Sequence, residues 1–187
     1  MSAQHRKTLC FLFLPGLLAS YSSTGIAANK STFETAELRV SIAPRSPRQM
    51  AAFYEARGFT RPMLAKIKQY CFMTVYIRNK SSHIIWLDLN NWHFTSNNHP
   101  LNRINRNQLL KQWQSMGIPL AHQSTFRWTL LPEQLDFRPN EREGGNIVLP
   151  WTSAPINITA RFERRHKHTG KAITMRLDNL QCINNPS

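Results

Sequence analysis

Acidic residues and glycine are scarce in this sequence, and their scarcity excludes several classes of enzyme. The chain has 10 Asp and Glu against 24 Lys and Arg, and 7 glycines among 187 residues. The glycines form no phosphate-binding loop, and no serine stands in the pattern of a nucleophile elbow. Glu141 and Glu143 lie in a polar segment with Arg138 and Arg142, which predicts solvated ion pairs rather than an acid–base couple. Because no catalytic motif is found, the chain is not predicted to be an enzyme.

Long hydrophobic runs are also missing, so no transmembrane span is predicted. The apolar segment TLCFLFLPGLLAS is shorter than the roughly 20 residues that cross a bilayer, and Pro15 interrupts it. Two basic residues precede this segment and the small residues TGIAA follow it, which is the order typical of a secretory signal. We predict a signal peptide over residues 1–28, cleaved after Ala27 or Ala28, and a periplasmic or secreted mature protein.

Cysteine is the third scarce residue, with 3 in the chain. Cys10 lies at the start of the apolar run rather than after it, so lipid attachment is not predicted. Cleavage of the signal removes Cys10 and leaves Cys71 and Cys182. Two cysteines in an oxidising compartment predict one disulfide, and two buried free thiols are the alternative. In the chain-entropy model, a bridge that closes so long a loop is worth about 4 to 5 kcal/mol.

The mature chain is predicted to form a single domain over residues 35–187, after a polar leader at 29–34. The alternating segment TAELRVSI predicts a first strand. A helical insertion over 46–70 follows, where Ser46 and Gln49 have the spacing of a capping box.

From residue 71 onward the chain is predicted to be mainly strand, because apolar residues alternate with polar ones between proline and glycine turns. The predicted strand segments are CFMTVYIRN, HIIWLDL, WHFTSNNHP, STFRWTLLP, LDFRP, GNIVLP, INITARFERR and KAITMRLDNLQC. One helix is predicted over 107–116, with Leu109 and Trp113 near one face. Strand content should exceed helix content, with helices confined mostly to 46–70 and 107–116.

One block resembles a known family. The segment LDFRPNEREGGNIVLP, two apolar strands with a Pro-Asn-Glu turn and a Gly-Gly pair between them, resembles the late hairpin region of secreted bacterial immunoglobulin-like domains. The similarity extends from Cys71 to Cys182. It implies a mainly β fold, an immunoglobulin-like β-sandwich of about eight strands with inserted short helices. The two cysteines are much farther apart than in antibody-type domains, so the resemblance implies neither that family's core disulfide nor an activity.

Positive charge is the strongest functional signal. Without the two basic residues of the signal peptide, 22 Lys and Arg face 10 Asp and Glu, a formal charge of +12. The densest segment is RFERRHKHTGK, a predicted hairpin whose tip projects Arg164, Arg165, Lys167 and Lys171. Because such a field attracts anions, we predict a non-catalytic exported binding or accessory module that docks an acidic protein or an anionic envelope component. Nucleic acid is not an expected partner in an exported compartment.

The same hairpin tip contains His166 and His168. On a strand, this spacing places both imidazoles on one face, where they would share a copper or zinc ion. Periplasmic copper or zinc handling is therefore the alternative function. Four basic neighbours oppose it, because Coulomb repulsion disfavours a bound cation. Apart from this alternative, no cofactor is predicted.

The five tryptophans divide into two groups. Trp86, Trp113 and Trp128 lie within apolar runs, which predicts core positions. Trp92 and Trp151 lie at the edges of segments, where an amphipathic ring is suited to an interface with a partner.

Overall fold

A computed structural model describes residues 30–184, so the predicted signal peptide over residues 1–28 lies outside the described residues. Within this range the chain forms two antiparallel sheets, of four and six strands, and four α-helices. Strand residues outnumber helical residues, which confirms the predicted balance. In the same range, no helix is long and apolar enough to span a bilayer.

The strands of the described chain are β1 (Ser31–Glu34), β2 (Leu38–Arg45), β3 (Tyr70–Asn79), β4 (Ile85–Asp88), β5 (Trp92–Ser96), β6 (His99–Pro100), β7 (Gln134–Phe137), β8 (Arg142–Pro150), β9 (Ile156–Arg164) and β10 (Gly170–Leu180). The helices are α1 (Pro47–Glu55), α2 (Arg61–Ile67), α3 (Arg106–Ser115) and α4 (Leu120–Thr129). Two short 3-10 turns lie at Leu89–Asn91 and His166–His168.

The four-stranded sheet, sheet A, has the order β1-β2-β3-β8. The six-stranded sheet, sheet B, is organised around β9, which pairs with β10 along one edge. The other edge of β9 is shared by β5 and β4, because the 3-10 turn at Leu89–Asn91 divides what would otherwise be one long strand. β7 pairs with β4, and β6 pairs with β5.

One apolar core joins the two sheets. Met73, Val75 and Ile77 alternate along β3 and belong to the same buried cluster as Phe94 and Phe162 of sheet B. The disulfide predicted between the two cysteines is confirmed, with 5.4 Å between their Cα atoms. It connects β3 of sheet A to the segment that follows β10 of sheet B, 111 residues away in sequence.

The outer face of sheet A is covered by helices over only part of its length. A second buried cluster joins Phe72 of β3 to Tyr54 of α1, Trp113 of α3 and Phe126 of α4. Four consecutive residues at the start of β3 are therefore buried, because this part of the strand is covered on both faces. Beyond that point β3 alternates, and its outward residues, such as Tyr76, are exposed.

α1 and α2 both lie within the range 46–70, where helices were expected. The Ser46 side chain accepts a hydrogen bond from the Gln49 backbone N–H at 3.1 Å, and the Gln49 side chain accepts one from the Ser46 N–H at 2.9 Å. These bonds satisfy two N–H groups that would have no partner within the helix. The chain then passes through Gly58, whose φ of 78° lies in the left-handed region that glycine adopts without strain.

The strand predicted over STFRWTLLP is wrong, since most of this segment belongs to α4. Aromatic and β-branched residues favour a strand locally. In the folded chain Gln123 and Phe126, three residues apart, form one buried helical face, and the Phe126 ring packs 5.1 Å from that of Trp113. Helices were expected mostly within 46–70 and 107–116, and α4 is the helix that lies outside these ranges. A second difference is that β1 forms within the predicted polar leader.

Candidate functional site

Three arginines lie side by side on the part of sheet A that the helices leave open. Arg39 of β2 is paired with Arg78 of β3, and Arg78 is paired with Arg142 of β8. Residues directly opposite each other on neighbouring strands point to the same face, with Cβ atoms about 5 Å apart. All three residues are exposed. We call Arg39, Arg78 and Arg142 the arginine row.

The arginine row has little acidic compensation. Glu34 of β1 lies 3.7 Å from Arg39, and it is also bonded to Lys80 at 2.7 Å. The hydrogen bond from Lys80, together with the charges of Lys80, Arg39 and Arg78, lowers the pKa of Glu34. Within residues 30–184 neither Arg78 nor Arg142 forms an ion pair. Because like charges opposite each other destabilise a sheet, the row is unfavourable for folding and leaves positive charge available to an anion.

A groove of about 570 Å³ adjoins the arginine row on the same face. One wall is α1, the other is the end of α4, and the floor is formed by β3 and β8. Side chains that line it include Gln49, Phe53, Thr74, Tyr76, Trp128 and Asn146. Tyr76 and Gly144 are opposite each other, two residues from Arg78 and Arg142 on their respective strands. The groove therefore leads into the row, with about 7 Å between them along the strands.

Two glycines of β8 line the groove. A Cβ at Gly145 would lie 2.4 Å from the backbone nitrogen of Leu131, because the chain leaving α4 packs directly beside β8 at this point. Leu130 and Asn146 form a parallel β-bridge there, and the Leu131 N–H donates to the Asn146 carbonyl at 3.0 Å. Gly144 adds no side chain above the floor beside Tyr76. The Gly-Gly pair of the sequence thus lies within a strand, where it shapes a concave surface.

A directed chain of hydrogen bonds runs along the floor of the groove. Arg45 Nε donates to Thr74 Oγ1 at 2.9 Å, and Thr74 Oγ1 donates to Asn146 Oδ1 at 2.9 Å. Asn146 is 8% exposed, so its amide is held rigidly at the base of the groove. These bonds fix the side chains of Arg45, Thr74 and Asn146 in position for a ligand in the groove.

The end of α4 that carries Trp128 is also fixed by hydrogen bonds. Thr129 Oγ1 donates to the Phe126 carbonyl at 2.7 Å, so the Tyr54 hydroxyl, 2.6 Å away, is the donor to Thr129. Burial raises the pKa of Tyr54 to about 12, which keeps this hydroxyl protonated at neutral pH. The end of α4, next to Trp128, is therefore bonded to α1.

The tryptophans differ from their predicted positions. Trp128 is 83% exposed rather than in the core, since it lies on the outward side of α4. Trp92, predicted at an interface, is 5% exposed and packs edge-on against Phe162, so that prediction is wrong. Trp113 is in the core as predicted, whereas Trp86 is only half-buried.

Trp151, the other predicted interface tryptophan, is 44% exposed. It follows β8 directly. Its exposure leaves the interface interpretation as a prediction.

The predicted hairpin is present between β9 and β10. Ile173, Met175 and Leu177 pair with β9 in the register expected from the sequence. At its tip Arg165, Lys167 and Lys171 are exposed. Arg164 differs, because its guanidinium forms an ion pair with Glu37 and donates to the carbonyl of Lys171.

The residues around the tip reduce its positive field. A second cavity, of about 470 Å³, opens on the outer face of sheet B and is lined by Asp88, Asp136 and Glu163. Glu163 also forms an ion pair with Arg161, at 3.6 Å, and its carboxylate lies 2.7 Å from Nδ1 of His168. These carboxylates lie beside the basic tip, whereas in the described part of the chain the only ion pair of the arginine row is that of Arg39 with Glu34.

The geometry expected for a shared metal ion is not found at the two histidines. His166 and His168 lie in a 3-10 turn instead of a strand, so strand alternation does not place them on one face. The His168 ring stacks on Trp86 with 4.5 Å between ring centroids, in addition to its contact with Glu163. Within residues 30–184 no group of three or more His, Cys, Asp or Glu is arranged to hold a metal ion.

Comparisons with known proteins give one distant likeness. No family model and no curated protein matches the sequence. Among solved structures, the chain is similar to a "putative lipoprotein (ycdA)" from Bacillus subtilis, with 9% sequence identity and a TM-score of 0.43. The match covers 81% of this chain and 39% of that one, so the chain spans about two fifths of the length of the Bacillus protein. A likeness at this level carries no argument about function.

Proposed function

We propose that the protein is a non-catalytic exported binding module that docks an anionic partner, an acidic protein or an anionic envelope component, through the arginine row. The observation that carries the proposal is the register of Arg39, Arg78 and Arg142, which places three exposed guanidinium groups opposite one another. Guanidinium groups bind carboxylates and phosphates in a bidentate geometry, so a row of them is suited to an extended anion.

The arrangement of the sheets supports an immunoglobulin-like β-sandwich as the finer description of the fold. Two antiparallel sheets share an apolar core, and a disulfide connects them. The disulfide also supports a periplasmic or secreted location, because such bonds persist in oxidising compartments. In this proposal the signal peptide directs export, and the mature basic domain meets anionic groups at the cell envelope.

The experiment compares two triple variants that remove the same amount of charge. One is Arg39→Gln/Arg78→Gln/Arg142→Gln in the arginine row. The other is Arg165→Gln/Lys167→Gln/Lys171→Gln at the hairpin tip. Binding to polyglutamate, as a model acidic protein, and to phosphatidylglycerol vesicles is measured by titration over a range of salt concentrations.

The row variant should bind the anionic probes at least about tenfold more weakly, with a flatter salt dependence, because it removes the charges that make the contact. The tip variant should change affinity by less than about threefold, since neighbouring carboxylates already reduce its field. An equal or larger loss in the tip variant would move the site to the hairpin. Absence of binding by the wild type would overturn the proposed function.

A different measurement distinguishes copper or zinc handling by His166 and His168 from anion docking. Metal content and metal titration are compared in the wild type and in His166→Ala/His168→Ala. Stoichiometric copper or zinc in the wild type, lost in the variant, would favour metal handling over anion docking.

A further inference from the structure

We infer that the anionic partner is an acidic polysaccharide, whose sugar rings stack in the groove while its carboxylate or phosphate groups meet the arginine row. This inference rests on the proposed function, because it assigns a chemical class to the anion. An acidic polysaccharide would make a second contact, with the aromatic rings and polar groups of the groove. An anion without sugar rings does not require this contact.

The aromatic rings at the groove are unusually available for stacking. Trp128 is 83% exposed and Tyr76 is 39% exposed, and both line the same concave surface. A sugar ring has an apolar face of C–H groups and a polar rim, and amphipathic aromatic rings suit such a surface because they combine apolar area with a polar edge. Burying the two rings against sugar would remove apolar area from water.

The polar groups of the groove match the rim of a sugar. Thr74 and Asn146 are fixed by their mutual hydrogen bond, and Arg45 is fixed by its bond to Thr74. The site thus combines an apolar surface with a few precisely placed polar groups, which is the usual composition of a small-molecule site. Hydroxyl groups at several positions of a sugar both donate and accept, so they suit this mixed set of partners.

Charge complementarity and shape favour a polysaccharide over other anions. The arginine row begins about 7 Å from the groove along the same strands, so one chain would occupy both surfaces. A planar membrane contacts protruding groups, whereas Thr74 and Asn146 lie at the floor of a concavity. A peptide that adds to a sheet needs the free backbone groups of an edge strand. The floor of this groove is formed instead by β3, which is paired on both sides, and by β8, whose outer edge is already bonded at Asn146 by the Leu131 N–H.

The test compares three chains that separate charge from sugar. Polygalacturonate has both, polyglutamate of similar length has charge without sugar rings, and dextran has sugar rings without charge. Affinities are measured by isothermal titration calorimetry at one salt concentration. Polygalacturonate should bind about tenfold more tightly than polyglutamate, and dextran should bind most weakly, because only polygalacturonate engages both surfaces.

Two variants locate the sugar contact. Trp128→Ala removes an exposed ring and should weaken polygalacturonate binding about tenfold while leaving polyglutamate binding unchanged. Gly144→Val adds a side chain above the floor beside Tyr76, and it should have the same selective effect. Leu120→Ala is the matched control, because Leu120 is 77% exposed on the same helix but does not line the groove. Circular dichroism of each variant verifies the fold.

The outcomes distinguish this inference from the proposed function. If polyglutamate and polygalacturonate bind equally well and Trp128→Ala changes neither, the anion-docking function stands and the polysaccharide assignment is overturned. If vesicles of phosphatidylglycerol bind more tightly than polygalacturonate and this binding requires Trp128, the partner is a membrane surface and the assignment is likewise overturned. If neither the two charged chains nor the vesicles bind, the proposed function itself fails.

Discussion

The arginine row and the hairpin tip each present three exposed cations, but they differ in what surrounds them. At the tip, Arg164 is neutralised by Glu37, and Glu163 interacts with both Arg161 and His168. In the row, Arg39 shares Glu34 with Lys80, and within the described residues neither Arg78 nor Arg142 forms an ion pair. Basic residues that are dense along the chain therefore need not produce the strongest positive field, because the carboxylates that the fold brings near them also set the local potential.

Backbone strain is a second difference between the two regions. At the tip, Arg165, Lys167 and His168 all have positive φ angles, between 54° and 66°. The arginine row lies in regular strands with continuous pairing. A rigid sheet positions charges more precisely than a strained turn does, which suits the row to recognition of a partner.

The largest effect is expected from removing the disulfide. This bond connects sheet A, which carries the arginine row, to sheet B, which carries the hairpin tip. Cys71→Ser/Cys182→Ser should lower the free energy of unfolding by about 4 kcal/mol, because the bridge restricts a loop of 111 residues in the unfolded chain. Urea denaturation of the oxidised wild type and the variant measures this difference. A change below about 1 kcal/mol would show that the core alone holds the sheets together.

The next effect concerns strain at the tip. Arg165→Gly should raise the free energy of unfolding by about 1 kcal/mol, because a φ of 66° with a ψ of 169° strains an arginine but not a glycine. Lys171→Gly is the matched control, and it should destabilise, since it introduces glycine into β10. Anion affinity should change little in either variant. A loss of stability in Arg165→Gly would contradict the strain argument.

Replacing one arginine of the row should stabilise the fold slightly and, at the same time, weaken the binding of anions. Arg78→Thr should raise the free energy of unfolding by about 0.5 kcal/mol, since it removes the like charge opposite Arg39 and Arg142. The control is Arg176→Thr, because Arg176 is paired with Thr159 and has no like charge opposite it. Denaturation and polyglutamate titration measure the two effects. Equal stability changes at both positions would exclude repulsion within the row.

The smallest effect is a change in the titration of Glu34. Lys80→Gln should raise the pKa of Glu34 most, because the hydrogen bond from Lys80 is the main cause of its lowered value, and Arg78→Gln should raise it less. A carboxylate with a lowered pKa stabilises the fold above its unfolded pKa of 4.5 and loses that contribution as pH falls through the folded value. Carboxyl NMR titration measures both variants. The reverse order would contradict the assigned cause.

Local patterns predicted several elements correctly. The capping box at Ser46 and Gln49 and the helix around Leu109 and Trp113 depend on residues three or four apart, so they could be predicted from the chain alone. The hairpin register also followed from strands that are close in sequence. α4 could not be predicted this way, because the packing of Phe126 between α3 and sheet A overrides its local strand propensity.

The basic charge, the disulfide between the last two cysteines and a mainly β fold could all be predicted from the amino-acid sequence, because they depend on composition and on local alternation. Where that charge is concentrated on the surface depends on the folded sheets. Arg39, Arg78 and Arg142 lie on three strands far apart in sequence, and they become neighbours through the register of sheet A. The position of the chain after α4 depends in the same way on Gly145, whose missing Cβ lets Leu130 and Leu131 pack beside β8. Contacts between distant segments are set by packing and pairing of whole sheets, which no local pattern encodes.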